Sequence, residues 1–141
     1  MKMKTHLPYL AIILSAVFLR CNQQPSEPIP VGAYQYTSYD TMGTAMVSGW
    51  FAIQKTDSNH ISGEWHFSPL AKAKDVGPQT GNGNFVGTID SNQMYMELNP
   101  QYIDNNLELL GTIQGNRYSG RWTWISFVGV TNHGNFEAVT K

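Results

Sequence analysis

One short pattern constrains this chain more than any other: an apolar residue, a glycine two positions on, and a second apolar residue two beyond that. It occurs as Val47-Gly49-Phe51, Ile61-Gly63-Trp65, Phe85-Gly87-Ile89, Leu109-Gly111-Ile113 and Tyr118-Gly120-Trp122, and as Gly134-Phe136 without its first member. A period of two is the signature of a strand, whose side chains alternate between faces, so each glycine shares the inward face with large apolar neighbours. A bare position there weakens a flat strand, but it lets a sheet coil tightly and lets a bulky neighbour lie over exposed backbone. Sheet closure is the reading that makes these glycines useful.

The motifs also pair. Asn59-His60-Ile61-Ser62-Gly63-Glu64-Trp65 has the same spacing as Asn116-Arg117-Tyr118-Ser119-Gly120-Arg121-Trp122, and Gly-Thr-Ile recurs at 87–89 and 111–113, each time three residues before an Asn. Two-residue turns at Ser91-Asn92 and Gly115-Asn116 then set two hairpin registers. One places Ile89 opposite Met94 and Gly87 opposite Met96; the other places Ile113 opposite Tyr118, Gly111 opposite Gly120 and Leu109 opposite Trp122. Both keep every inward residue inward.

Strands are expected at 32–40, 44–55, 60–68, 84–90, 93–99, 107–114, 117–127 and 131–140. No window after residue 30 carries the i, i+3, i+4, i+7 spacing of a helix longer than about two turns. The fold class is therefore all-β, an eight-stranded antiparallel up-and-down barrel, with a partly open β-sandwich as the alternative. This layout resembles the lipocalin-like and avidin-like barrels and several bacterial barrel lipoproteins. The resemblance implies a small ligand held at one end; the Gly-x-Trp that opens a lipocalin is here Gly32-Ala33-Tyr34.

Residues 1–30 have a different character. Lys2 and Lys4 precede an apolar run over 7–19, and the chain turns polar at Arg20, Cys21 and Asn22. That run is too short to span a bilayer and reads as an export signal over 1–20. Cys21 is the only cysteine, so no internal disulfide can form. The segment resembles a bacterial lipoprotein leader, which implies that Cys21 becomes the lipidated first residue of the mature chain, with Arg20 a departure from the family's small residues. Residues 21–30, with Pro25, Pro28 and Pro30, make an extended tether to a domain at 31–141. The resemblance places the protein in the cell envelope, and Asn22 favours an outer-membrane or surface address.

From Cys21 onward six basic residues face ten acidic ones, a net charge of −4, which argues against nucleic acid and anionic head groups as partners. In an up-and-down meander the tight turns share one end and the longer connections, 41–43, 69–83, 100–106 and 128–130, share the other. Binding sites are built from longer loops, so the candidate ligand residues are those facing inward near that end: Tyr36, Phe67, Leu98 and Trp124, with 69–83 as a lid carrying Lys72 and Lys74. Aromatic walls of this kind suit a small apolar or flat molecule. A rival expectation is that the rings merely fill the barrel.

Chemistry is scarce. His60, Glu64 and His66 share one face of the third strand with metal-ligand spacing, but the inward face is claimed by Ile61, Trp65 and Phe67, so no metal and no cofactor are expected. There is no Gly-x-Ser-x-Gly, phosphate loop or His-Glu-x-x-His, and an enzyme is not expected. The partners considered are a small apolar molecule or, through the loops and an outward patch of Met46, Trp50 and Tyr95, an envelope protein. A purely structural anchored domain is the third reading.

Overall fold

The structure, a computed structural model, describes residues 31–70, 73 and 75–141. The expected export signal, Cys21, the tether, Lys72 and Lys74 lie outside these residues. Eight strands run in chain order, β1 (Gly32–Tyr39), β2 (Ala45–Asp57), β3 (His60–Pro69), β4 (Gly81–Asp90), β5 (Gln93–Glu97), β6 (Asn105–Gln114), β7 (Arg117–Ser126) and β8 (Gly129–Thr140), with one 3-10 turn at Gly77–Gln79. Each strand pairs antiparallel with its neighbours in sequence, and β8 returns to β1, so the sheet closes into a barrel and the sandwich is excluded.

The glycine pattern does what its spacing predicts. A Cβ added to any of the six motif glycines (Gly49, Gly63, Gly87, Gly111, Gly120 or Gly134) would press into a backbone carbonyl oxygen of the adjacent strand. Strands approach so closely at these points that only glycine fits. The hairpin registers also hold: Gly111 faces Gly120 and Leu109 faces Trp122, while Gly87 faces Met96 and Ile89 faces Met94.

At the tight end, Ser58, Ser91 and Gly115 open their two-residue turns in the left-handed region, at φ 56°, 56° and 58°. The asparagine that follows each offers its carbonyl to the next hairpin: Ile89 donates to Asn59, Ile113 to Asn92 and Thr140 to Asn116, at 2.7, 2.8 and 2.9 Å. Turn backbone that would otherwise bond water is thereby tied into the wall.

Apart from shifts of one or two residues at other strand ends, two details depart from the sequence reading. Strand β4 starts at Gly81, three residues early, because Gly83 pairs with Trp65 and Gly81 with Phe67; pairing overrides the poor strand propensity of Gly-Asn-Gly-Asn. Met46, expected outward beside Trp50, is buried. The ladder to β1 runs from Ser38–Val47 to Tyr39–Ala45 and skips Met46. Such a bulge breaks the alternation, which is how Met46 and Val47 are both interior.

Candidate ligand site at the loop end

The interior is ring on ring. Tyr36 stacks on Phe67 at 4.1 Å and 9° and on Phe136 at 5.8 Å; Tyr34 stacks on Phe51 at 4.9 Å. Two of the expected ligand residues, Tyr36 on β1 and Phe67 on β3, are thus brought face to face. Both are buried, as is Leu98, whose carbonyl accepts a 2.8 Å hydrogen bond from the Trp65 indole. Trp124 stands half-buried on β7 with its Nε1 donating to the Asn105 side chain at 3.1 Å.

The connection from β3 to β4 folds over this end. Ala73 and Val76 pack on the core. Gly77, at φ 56°, lies so flat on Trp124 that a Cβ there would sit 2.5, 2.6 and 2.8 Å from three ring atoms. Asn132 of β8 fastens the loop from the other side, its amide donating to the Asp75 carbonyl at 3.2 Å. Gln79, at the end of the 3-10 turn, has no solvent exposure at all.

Several polar atoms inside the barrel are satisfied. The Trp122 indole donates to the Tyr39 carbonyl at 2.8 Å, and the Tyr118 hydroxyl lies 3.0 Å from the Met94 carbonyl and 3.1 Å from that of Leu109, its one proton shared between them. Among the described residues, four buried side-chain atoms have no partner: Tyr36 Oη, Ser38 Oγ, and the Nε2 and Oε1 of Gln79. All belong to the loop-end half, on the later part of β1 and on the covering loop. A buried polar atom left unbonded costs about 1 to 3 kcal/mol, so a group of four calls for a reason.

Sequence reasoning missed Ser38 and Gln79. Ser38 carries the same inward parity as Tyr34 and Tyr36, a signal that was available; Gln79 sits in an irregular loop where no periodicity could mark it.

The contrast between the two tyrosines is measurable. Replacing Tyr118 with Phe removes a bonded hydroxyl and should lower stability by about 1 kcal/mol, whereas Tyr36→Phe removes an unbonded one and should leave the urea midpoint unchanged or raise it. A midpoint that falls equally in both variants would mean that Tyr36 is satisfied.

Burial also sets the alkaline behaviour. Desolvation pushes Tyr34 up to about 12 and raises Tyr36 further; the Ser38 hydroxyl beside it, short of hydrogen-bonding geometry, opposes this only in part. Tyr118 is raised by desolvation first and by the Tyr36 charge second. A phenol is neutral when protonated, so a raised folded value means that the unfolded chain releases the proton first. Stability is intact below pH 10 and falls above it, by about 1.4 kcal/mol per pH unit for each of Tyr36 and Tyr118. Ultraviolet titration should show these phenols ionising only as the barrel unfolds.

No family profile matches the chain, and no curated protein matches it. Among solved structures, one described as the structure of a bradavidin2-biotin complex aligns with 80% of this chain and 99% of its own, at 15% identity and a TM-score of 0.55. The fold is avidin-like. At this identity the likeness extends to the barrel itself and to nothing finer.

The other sequence candidates are placed as follows. His60, Glu64 and His66 are exposed, and among the described residues no group of three His, Cys, Asp or Glu side chains is placed to hold a metal. Tyr95 on the outer wall is engaged rather than free, its hydroxyl 2.9 Å from carboxylate oxygens of both Glu97 and Glu108.

Proposed function

We propose that this barrel is a binding protein, not an enzyme, and that it takes a small, largely apolar or aromatic molecule at its loop end. The observation that carries this reading is the set of unpartnered atoms on Tyr36, Ser38 and Gln79. A ligand whose ring lies among Tyr36, Phe67 and Trp124 and whose polar atoms meet those three side chains would satisfy them. Because Gln79 is fully covered, entry requires the Gly77–Gln79 turn to lift off Trp124. The similarity of fold to a protein solved with biotin supports a small molecule as the ligand class.

The test is native mass spectrometry of the full chain purified from its own host. A co-purifying small molecule that is lost in a Ser38→Ala, Gln79→Leu double variant is expected. A bare chain whose tryptophan emission is unmoved by biotin or by host lipid extract would overturn the proposal.

The exposed loop tips favour a second reading. Met42, Ile103, Phe127 and Val128 are 87–93% exposed, and all stand on the connections of the loop end. Such apolar tips suit docking to an envelope protein, with the ligand site beneath the rim.

We also propose that residues 1–20 direct export and that Cys21 is lipidated, anchoring the barrel to a membrane by its tight-turn end. Cys21→Ala is expected to move the protein from the membrane pellet to the soluble fraction; a variant that still sediments would refute lipidation.

A further inference from the structure

A groove of about 280 Å³ opens on the outer wall, lined by Trp50, Glu64, Trp65, His66, Asn82, Gly83 and Asn84. We propose that it is a second binding site and that its ligand is a neutral saccharide.

The registers show how the site is made. Trp50, His66 and Asn82 are directly opposed on β2, β3 and β4, forming one row across three strands; Glu64 and Asn84 are opposed in the next. Trp50 and His66 lie with ring centroids 6.2 Å apart and planes within 10°. Two strand spacings separate Trp50 from Asn82, about 10 Å. The groove therefore offers an aromatic platform at one side and planar amide, carboxylate and imidazole groups along the rest.

The sequence of β4 adds a separate observation. Its first four residues, Gly81-Asn82-Gly83-Asn84, are among the weakest strand formers. Packing explains Gly83, where a Cβ would stand 3.1 Å from the Trp65 indole nitrogen. Nothing in the packing asks for the two asparagines, which are exposed. Residues that break a local rule without a structural return are expected at functional positions.

The lining selects the ligand class. A pyranose has a face of C–H groups that lies on an indole, and a rim of hydroxyls that pair with planar amides and carboxylates. An anion would meet Glu64 and no cation in the groove. An apolar ligand would find Trp50 and the little of Trp65 that is not buried, set among polar side chains. An extended peptide would need a free strand edge, and a closed barrel has none.

The experiment is a neutral-glycan array probed with the full chain, followed by titration with chitotriose, cellotriose and maltotriose. Saturable binding to at least one neutral glycan is expected, with affinity reduced about tenfold by Trp50→Ala and likewise by Asn82→Ala with Asn84→Ala. Trp50→Phe, which keeps a platform, should retain most of the binding and serves as the folding control. The interior variants Ser38→Ala and Gln79→Leu should bind glycan as the parent does, so this site and the loop-end site fail or stand separately. No binding across the array, binding that appears only with added zinc, or equal binding by the Trp50→Ala chain would overturn the proposal.

Discussion

Gly120→Val is expected to cost the barrel about 3 kcal/mol or more, a large share of the roughly 5 to 15 kcal/mol that holds an ordinary domain folded. A first added carbon at Gly120 would press on the Leu110 carbonyl oxygen and on the Cα of Gly111, with the Leu110 carbonyl carbon at 2.9 Å. All three are backbone atoms of β6, so no side-chain rotamer can relieve the overlap; β6 and β7 would have to part along a ten-residue ladder. Reducing the facing residue does not help, because it is already glycine. The measurement is the urea midpoint by circular dichroism, and an unchanged midpoint would mean that the two strands are further apart than the structure places them. Gly115→Ala, in a turn where an added Cβ meets nothing, is the milder comparison: only its left-handed backbone opposes the change.

The second large effect is expected at Trp122, two residues along the same strand. Its indole is fully buried, fits against Gly134 at a point where no Cβ could stand, and donates from Nε1 to the Tyr39 carbonyl on β1. Trp122→Ala combines a large cavity with an orphaned carbonyl, a loss of about 3 to 5 kcal/mol. Trp122→Phe keeps most of the volume and loses the hydrogen bond, so the difference between the two variants separates packing from polar contact. Tyr39 ends β1 immediately before the 40–44 connection. Weakening this tie should therefore disturb the loop end as well, and faster hydrogen exchange at Thr44 in Trp122→Phe would show it.

Much of this fold could be read from particular residues. Glycines at two-residue spacing from Val47, Trp65, Leu109 and Trp122 announce a coiled wall, and the turns at Asn92 and Asn116 set the pairing of Gly87 with Met96 and of Gly111 with Gly120. What escaped has a physical reason in each case. Met46 changed faces because a bulge added one residue to a period of two, and no residue type marks a bulge there. Gly81 to Gly83 read as loop because its residues are poor strand formers, while its partner strand around Trp65 lies far off in sequence. The candidate site was legible only in its aromatic half. Tyr36 and Phe67 followed from parity, whereas the unpartnered carboxamide of Gln79 depends on how an irregular connection folds over the barrel.

The seam between β1 and β8 brings Tyr36 beside Ala138 and Thr37 beside Glu137. All other ladders join strands that follow one another and can form as local hairpins, but this one joins the opposite ends of the domain and carries most of the loop-closure entropy. The last strand of the barrel to be synthesised, β8, is thus the one that completes the wall. Until β8 has docked, Tyr36 has no Phe136 to stack on, and the sheet stays unclosed with its aromatic face exposed.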